Sequence, residues 1–451
     1  MSSPEPSLEL AHWGVEQARA AGASAAEVLI ASGESLSAGV RMGEVEKLKH
    51  SRERRLGVRV FVGQSSATAS TAELDRDALS EFIADTVRLA RLTAPDRWSG
   101  LPDPTLHPRL LPELELSDPT SGIIEADRAL KIAGEAERAA LGADPRIKNS
   151  EGAEFDSGRH RVIFANNQGF AGEYAGTSYS LAVAPIAEAD GAMQPGHWYT
   201  YSRRFDRLEQ AASVGLTAAK RALRRLGARK IKTTRAPVIF DPDMAASLLR
   251  ALVGAASGPS LYRGASFLIN RLGTEIASSN VTIIDDGTMP GGLGSRPFDG
   301  EGLATTRKSV VERGVLQSYL LDSYSARRLG LAPTGNAARS VGEAPSVSAA
   351  NLYLQPGPYT PEEIIRSVRR GLYLTELIGF GINSVTGDYS RGAGGIWIED
   401  GELAYPVQEI TIAGNLKEMF MAIEMVGNDL SWRSSVASPT LKLAEMMIAG
   451  E

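Results

Sequence analysis

The chain is 451 residues long, 43% hydrophobic and 23% charged, values that fit a globular protein with a substantial core and, at this length, two or three domains. It has no cysteine, which excludes disulfides, thiolate metal ligands and thiol catalysis. A formal net charge of −6 excludes a general electrostatic pull toward nucleic acid or anionic membrane.

The opening MSSPEPSLEL lacks the basic and apolar regions of a signal peptide, and no apolar run reaches the roughly 20 residues that span a bilayer, so a cytoplasmic protein is expected. Leu8–Ala21 has helical apolar spacing and stops at Gly22. Ala26–Ala31, Leu36–Arg41, Val45–Ser51, Leu56–Val62 and Ser66–Thr71 read as successive short strands, and Asp75 caps a helix to Leu92. The charged residues between Glu44 and Arg55 are of mixed sign, which suits solvated strand faces and a turn rather than a nucleic-acid footprint. Five prolines in Trp98–Pro119 mark a linker.

A second unit follows: helix Ile123–Leu141, strands around Arg146–Ser150, Glu154–Asn166 and Phe170–Ala187, and helix Arg207–Leu226. Arg221, Arg224, Arg225, Arg229, Lys230, Lys232 and Arg235 form a basic run, read as a solvated helix end favoured by the helix dipole. Strand Pro237–Phe240 opens a third unit. Asp241-Pro242 supplies an N-cap and an N1 proline for helix Met244–Ala256. Met289–Gly294 (MPGGLG) lacks the Lys-Ser/Thr of a Walker loop and is expected to be flexible; Gly335–Val347 is expected to be a mobile surface loop.

Val310–Leu321, Asn351–Gln355, Leu372–Leu377, Thr440–Leu443 and Met446–Ala449 are further strand segments. In Thr386–Asn415, glycines bracket Asp388, Tyr389, Ser390 and Arg391, then Asp400-Gly401 turns a hairpin and Asn415 caps a helix. Two readings stand for this glycine-rich loop. In one, Arg391 pairs with a carboxylate and Asp388 caps the loop; in the other, Asp388, Tyr389, Ser390, Arg391 and Gly394 contact substrate. The expected fold is α+β: N-terminal α/β units with antiparallel sheets, then a β-rich, barrel- or sandwich-like domain. The expected divisions are 1–95, a linker at 96–119, 120–232 and 233–451.

No nucleophile elbow is present, and His12, His50, His107, His160 and His197 are scattered singly without ligand spacing. Asp285-Asp286 and Asp299 with Glu301 are the nearest carboxylate pairs. They read as turn residues before Gly287 and Gly300, with a hard-cation site as the competing reading.

TGDYSRGAGG followed by YPVQEITIAGNLKEM, together with SFLINRLG, PFDGEGLATTRK, LLDSYSARRLGL and the closing MIAG, resembles the TldD/PmbA family in its PmbA (TldE) branch. That resemblance implies a subunit of a TldD/TldE-type metalloprotease complex acting on unfolded or leader peptides. In the TldD branch a His-Glu-x-x-x-His helix and a cysteine near the C-terminus hold the zinc. The matching positions here are Arg250, Ala251 and Ala255, and there is no cysteine. The resemblance therefore implies no metal and no catalytic residue in this chain, and zinc in a TldD-type partner with which it forms a heterodimer. A homodimer is a further possibility when the chain is alone. Two alternatives stay open: an independent metallohydrolase with a metal held by scattered carboxylates, and a non-proteolytic protein-binding modulator of the kind named for DNA gyrase. Neither nucleic acid nor membrane is an expected partner.

Overall fold

A computed structural model describes residues 6–120 and 122–451. Helix α1 (Leu8–Ala20) starts where Ser7 Oγ accepts from Leu10 N at 3.1 Å. Strands β1 (Ala25–Arg41), β2 (Glu44–Val62) and β3 (Ser65–Thr71) follow, then α2 (Arg76–Leu92), capped by Asp75. After the proline-rich stretch come α3 (Ala126–Leu141), β4 (Ile147–Asn166), β5 (Ala171–Ala189), β6 (Ala192–Pro195), β7 (Trp198–Ser202) and α4 (Ala211–Leu223). These strands make one antiparallel sheet in the order β3-β2-β1-β4-β5-β6, with β7 also beside β5.

The short strands expected at Ala26–Ala31, Leu36–Arg41, Val45–Ser51 and Leu56–Val62 are instead two long ones, of 17 and 19 residues. Apolar alternation lapses across their middle, but the ladder runs on through Ala31↔Arg55 and Ser35↔Ser51. There the cross-strand pairs are ionic: Glu34 takes His50 at 2.8 Å and Arg52 at 2.9 Å, and also pairs with Arg159 on β4. The apolar ends are covered separately. α1 and α2 lie over Val28, Ile30, Val58 and Ile163, while α3 and α4 lie over Leu36, Ala38, Phe155 and Leu181.

The third unit begins with β8 (Thr234–Phe240), α5 (Pro242–Ala256) and α6 (Gly258–Tyr262). It continues through β9 (Ile283–Asp286), β10 (Arg307–Glu312), β11 (Val315–Leu316), α7 (Ser323–Leu329), β12 (Ala337–Ala338), β13 (Ser346–Val347) and β14 (Asn351–Leu354). It ends with α8 (Pro361–Arg366), β15 (Arg370–Ile378), β16 (Asp388–Glu399), β17 (Glu402–Asn415), α9 (Leu416–Met421), β18 (Ile423–Val426), β19 (Val436–Ala437) and β20 (Leu441–Ala449). Strands β17, β16, β15, β8 and β20 pair in that order, and β17 pairs again with β20, closing a five-stranded barrel. Phe240, Leu372, Leu374, Tyr389, Trp397 and Ile412 contribute to the core it shares with α5. The α+β class and the β-rich, barrel-type third unit are as the sequence predicts. No helix among the described residues is long and apolar enough to cross a membrane.

Four local expectations need correction. The segment read as a glycine-rich loop, Thr386–Gly395, is strand from Asp388 onward. Its glycines serve close approach rather than turning: a Cβ on Gly395 would lie 2.2 Å from the Tyr373 carbonyl oxygen, and among Gly387, Gly392, Gly394 and Gly395 only Gly387 has positive φ, at 88°. Gly335–Val347 is no mobile loop. It carries the β12–β13 hairpin and is pinned to the sheet by Arg339, which pairs with the fully buried Glu27. MPGGLG is tied down as well: Arg203 donates to the Gly292 and Leu293 carbonyls at 2.9 Å each, and Gly294 N donates to Asn351 Oδ1 at 2.7 Å. Asp285 lies in β9, not in a turn. Its carboxylate accepts from Lys308 Nζ (3.2 Å), Asn336 Nδ2 (2.8 Å) and Ala350 N (2.7 Å), a shell of nitrogen donors that leaves a cation no role there.

Candidate functional site

The site grows from α5. Pro242 fixes the first turn, Asp241 Oδ1 accepts from Met244 N at 3.1 Å, and the apolar stripe Ala245, Leu248, Leu249, Leu252 and Ala256 is buried. That seating leaves Asp243 and Arg250 facing away from the core, into a cleft of about 470 Å³ between the central and third units. The opposite wall is the end of α4 with the turn from β6 into β7. Gly196 permits this approach: a Cβ there would fall 2.4 Å from both the Ala218 oxygen and the Ala222 nitrogen of α4. The remaining lining comes from β15 (Thr375, Glu376) and from residues 431–438.

Five arginines line the cleft, Arg221, Arg224, Arg225, Arg250 and Arg433, against three carboxylates, Glu151, Asp243 and Glu376. Arg433 Nη2 donates to Asp243 Oδ1 at 2.8 Å, and Arg221 Nη2 lies 3.5 Å from Asp243 Oδ2 and 3.6 Å from Asp241 Oδ2. Both guanidinium groups sit 4.3 Å from the Trp198 ring. Arg225 donates to Glu376 at 2.7 Å and to the Pro195 carbonyl at 3.0 Å. Among the described residues the Arg250 side chain has one hydrogen-bond partner, Ser434 Oγ, at 3.2 Å. The Arg224 side chain has no hydrogen bond or ion pair among the described residues; its Nε is buried without a partner, and Asp241 is the carboxylate that attracts it.

The electrostatics follow from this crowding. Burial, then the adjacent Arg221, pushes the Arg224 guanidinium below the usual arginine range, though an arginine stays cationic at neutral pH. Burial, then Arg221, lowers His197 as well, which favours its neutral form. Burial, with Asp243 next to it, raises Asp241 to about 6 despite Arg221.

The basic run Arg221–Arg235, read from sequence as a solvated helix end, thus divides. Arg221, Arg224 and Arg225 are partly buried cleft residues, whereas Lys230 pairs with Glu409 at 2.9 Å on the surface. Trp198 and Tyr199 of β7, Glu376 of β15 and Arg433 escaped sequence reasoning because they arrive from three separate parts of the chain. The traces of the site in sequence were the density of arginine at the end of α4 and Arg250 at the zinc-motif position of α5.

The residues singled out on β16 lie elsewhere. Asp388 is exposed and bonds Thr386 Oγ1 at 2.6 Å and Asn415 Nδ2 at 3.0 Å. Ser390 is exposed, and Tyr389 is buried in the barrel core with its hydroxyl unpartnered. Burial raises Tyr389 to about 12, which the neighbouring Arg391 partly offsets. Arg391 makes no ion pair with a carboxylate among the described residues, and its Nε is buried without a partner. Gly394 alone borders the cleft, at one remove: it pairs with Glu376, whose Oε2 would lie 2.9 Å from a Cβ there.

Three domain models of one family match the chain: PmbA/TldA metallopeptidase domain 1 at residues 26–90, the central domain at 120–226 and the C-terminal domain at 233–450. The chain is 39% identical over 426 residues to metalloprotease PmbA of Escherichia coli O157:H7, covering 94% of this chain and 92% of that one. Its fold is similar to that of a Bacteroides thetaiotaomicron protein described as a modulator of DNA gyrase, with a TM-score of 0.92, 30% identity and 98% of each chain covered. It also resembles TldE from Thermococcus kodakarensis, with a TM-score of 0.86, 21% identity, and 98% and 99% of the two chains covered.

A metallopeptidase family implies a zinc ion, and α5 is the helix that would hold it. At the three motif positions Arg250 is an exposed cation in the cleft, Ala251 is packed against the core, and Ala255 is fully buried in it. None of these side chains carries a lone pair for a metal, and no group of three or more His, Cys, Asp or Glu residues that could hold one occurs among the described residues. The residues at this helix do not fit a zinc ion.

Proposed function

The chain belongs to the PmbA/TldA metallopeptidase family, and we propose that within it this protein is the non-catalytic, TldE-type subunit of a cytosolic protease pair. A TldD-type partner would supply the zinc and the activated water; this chain would complete the chamber and hold an unfolded or leader peptide extended. One observation carries the reading: the helix that bears the zinc motif in the TldD branch here turns Arg250 into a cleft lined by arginines. A permanent cation at that point repels a divalent metal but attracts an anionic or carbonyl-rich chain.

The test is hydrolysis of an unfolded peptide by this chain, by a TldD-type partner and by the mixture, each with and without chelator and with zinc measured. Chelator-sensitive hydrolysis is expected to appear or rise in the mixture, with zinc tracking the partner. Chelator-sensitive hydrolysis by this chain alone would overturn the assignment. A mixture no more active than the partner alone would favour a non-proteolytic binding role.

Arg391, which makes no ion pair with a carboxylate among the described residues, stands as a second proposed peptide contact with Asp388, Ser390 and Gly394 beside it and the buried Tyr389 behind it. Arg391→Ala is expected to slow trimming by the pair while assembly persists. Unchanged trimming would remove this segment from the binding surface.

A further inference from the structure

We propose that the arginine cleft is a carboxylate-binding site that receives the C-terminal end of a peptide chain. This rests on the subunit reading for its biological setting but not for its chemistry, because binding can be measured on the isolated chain. The argument starts from which cations are already committed. Asp243 and Glu376 are taken up by Arg221, Arg433 and Arg225 at 2.7–3.5 Å. Arg224 and Arg250 are left over: the first has no partner among the described residues, and the second has one neutral hydroxyl. The buried Arg224 Nε has no acceptor among the described residues, and only the longer-range attraction of Asp241 offsets its desolvation, so the geometry leaves room for an acceptor that arrives from outside.

The charge balance indicates what kind of acceptor. With five arginines facing three carboxylates, the cleft keeps an excess of positive charge, which suits an anionic ligand. A planar carboxylate also matches the two-pronged face of a guanidinium. The walls between the arginines are apolar, supplied by Pro195, Pro242, Met244 and Val436, so a peptide's terminal side chain has surface to pack on. A volume of about 470 Å³ is in the range of ligand pockets and far from the reach of a folded surface. In a chamber shared with a protease subunit, a site that fixes the chain end would set the distance from that end at which the partner cuts.

The experiment is titration of the intact protein with one neutral octapeptide bearing a free C-terminal carboxylate, with its C-terminal amide, with the amide carrying an internal glutamate, and with inorganic phosphate. The free acid is expected to bind about tenfold tighter than the plain amide, the increment of a charge-assisted bidentate contact. Rescue of the amide by the glutamate would reassign the source to an acidic side chain, and phosphate binding tighter than the free acid would overturn the carboxylate assignment. Arg224→Met should abolish the preference for the acid with little change in melting temperature, since the side chain makes no hydrogen bond or ion pair among the described residues. Arg250→Ala, an exposed change, should weaken the preference several-fold. Equal binding of acid and amide by the parent protein would overturn the inference while leaving the reconstitution result to judge the subunit reading.

Discussion

Replacing Glu27 with alanine is expected to destabilise the protein by about 3–5 kcal/mol, the cost of leaving a buried charge without its counterion. Glu27 is fully buried on β1, and its Oε1 accepts from both Arg59 Nη1, at 3.2 Å, and Arg339 Nη1. The arginine side chains are only 8% and 3% exposed, so deleting the carboxylate leaves two like charges facing each other in a dry interface. That interface is where the third unit sits on the long sheet, with Leu29, Phe164, Phe170 and Phe298 packed beside the ion cluster. The β12–β13 hairpin should therefore detach first, with loss of amide protection at residues 337–347. Replacing the three residues together by Met, Leu and Met should recover most of the stability, because apolar packing often matches a buried ion group. The measurement is the denaturant midpoint followed by far-UV circular dichroism. A shift corresponding to under about 1 kcal/mol for Glu27→Ala would mean that water reaches the pair and that the cluster does not hold the units together.

Much of this architecture was legible in the sequence where one physical signal dominated. Asp75, Asp241 and Asn415 all cap helices through side-chain oxygens, as their positions in the sequence predict. Asp400-Gly401 turns the β16–β17 hairpin with φ of 48° and 83°, as the dipeptide suggests. The misread parts share a cause: local composition was taken as local structure when the partner lay far away in sequence. The middle of β1 and β2 looks like turns because its burial lapses, yet Glu34 reaches Arg159, 125 residues on, to keep the ladder paired. Glycines in β16 look like a loop, yet each makes room for another strand. The cleft was least visible because its lining is assembled from α4, β7, α5, β15 and the 431–438 segment, and only the arginines of α4 stand close enough in sequence to be noticed together. What the sequence does show is the absence of ligand atoms at 250, 251 and 255, and that statement needs no fold at all.

Glu301→Gln is expected to stabilise the protein at pH 8, because burial and the Asp299 carboxylate hold the Glu301 carboxyl well above its ordinary value. Glu301 is fully buried beside Asp299; burial first, and then the Asp299 carboxylate, push it up to about 7, with the Ser323 amide at 2.8 Å and the more distant Arg59 only partly compensating. In the unfolded chain the same carboxyl ionises near 4.5. Between these values the folded state binds more protons than the unfolded one, so stability falls as pH rises through the window and the full penalty is present above about 7. Glutamine keeps an acceptor for Ser323 N and removes the charge. The variant and the parent should therefore be similar in stability at pH 4 to 4.5 and diverge progressively toward pH 8, an upward-opening gap in melting temperature against pH. A gap of constant size across that range would mean that glutamine improves packing and that Glu301 does not titrate in the window. A loss of stability at pH 8 would mean that the ionised carboxylate is the form the fold requires, reached by Arg59 through a rearrangement of the Glu27 cluster. The two predictions are thus coupled through one arginine: with Glu27 deleted, Arg59 is free to turn toward Glu301, and the pH dependence contributed by Glu301 should shrink in the double variant background Glu27→Ala.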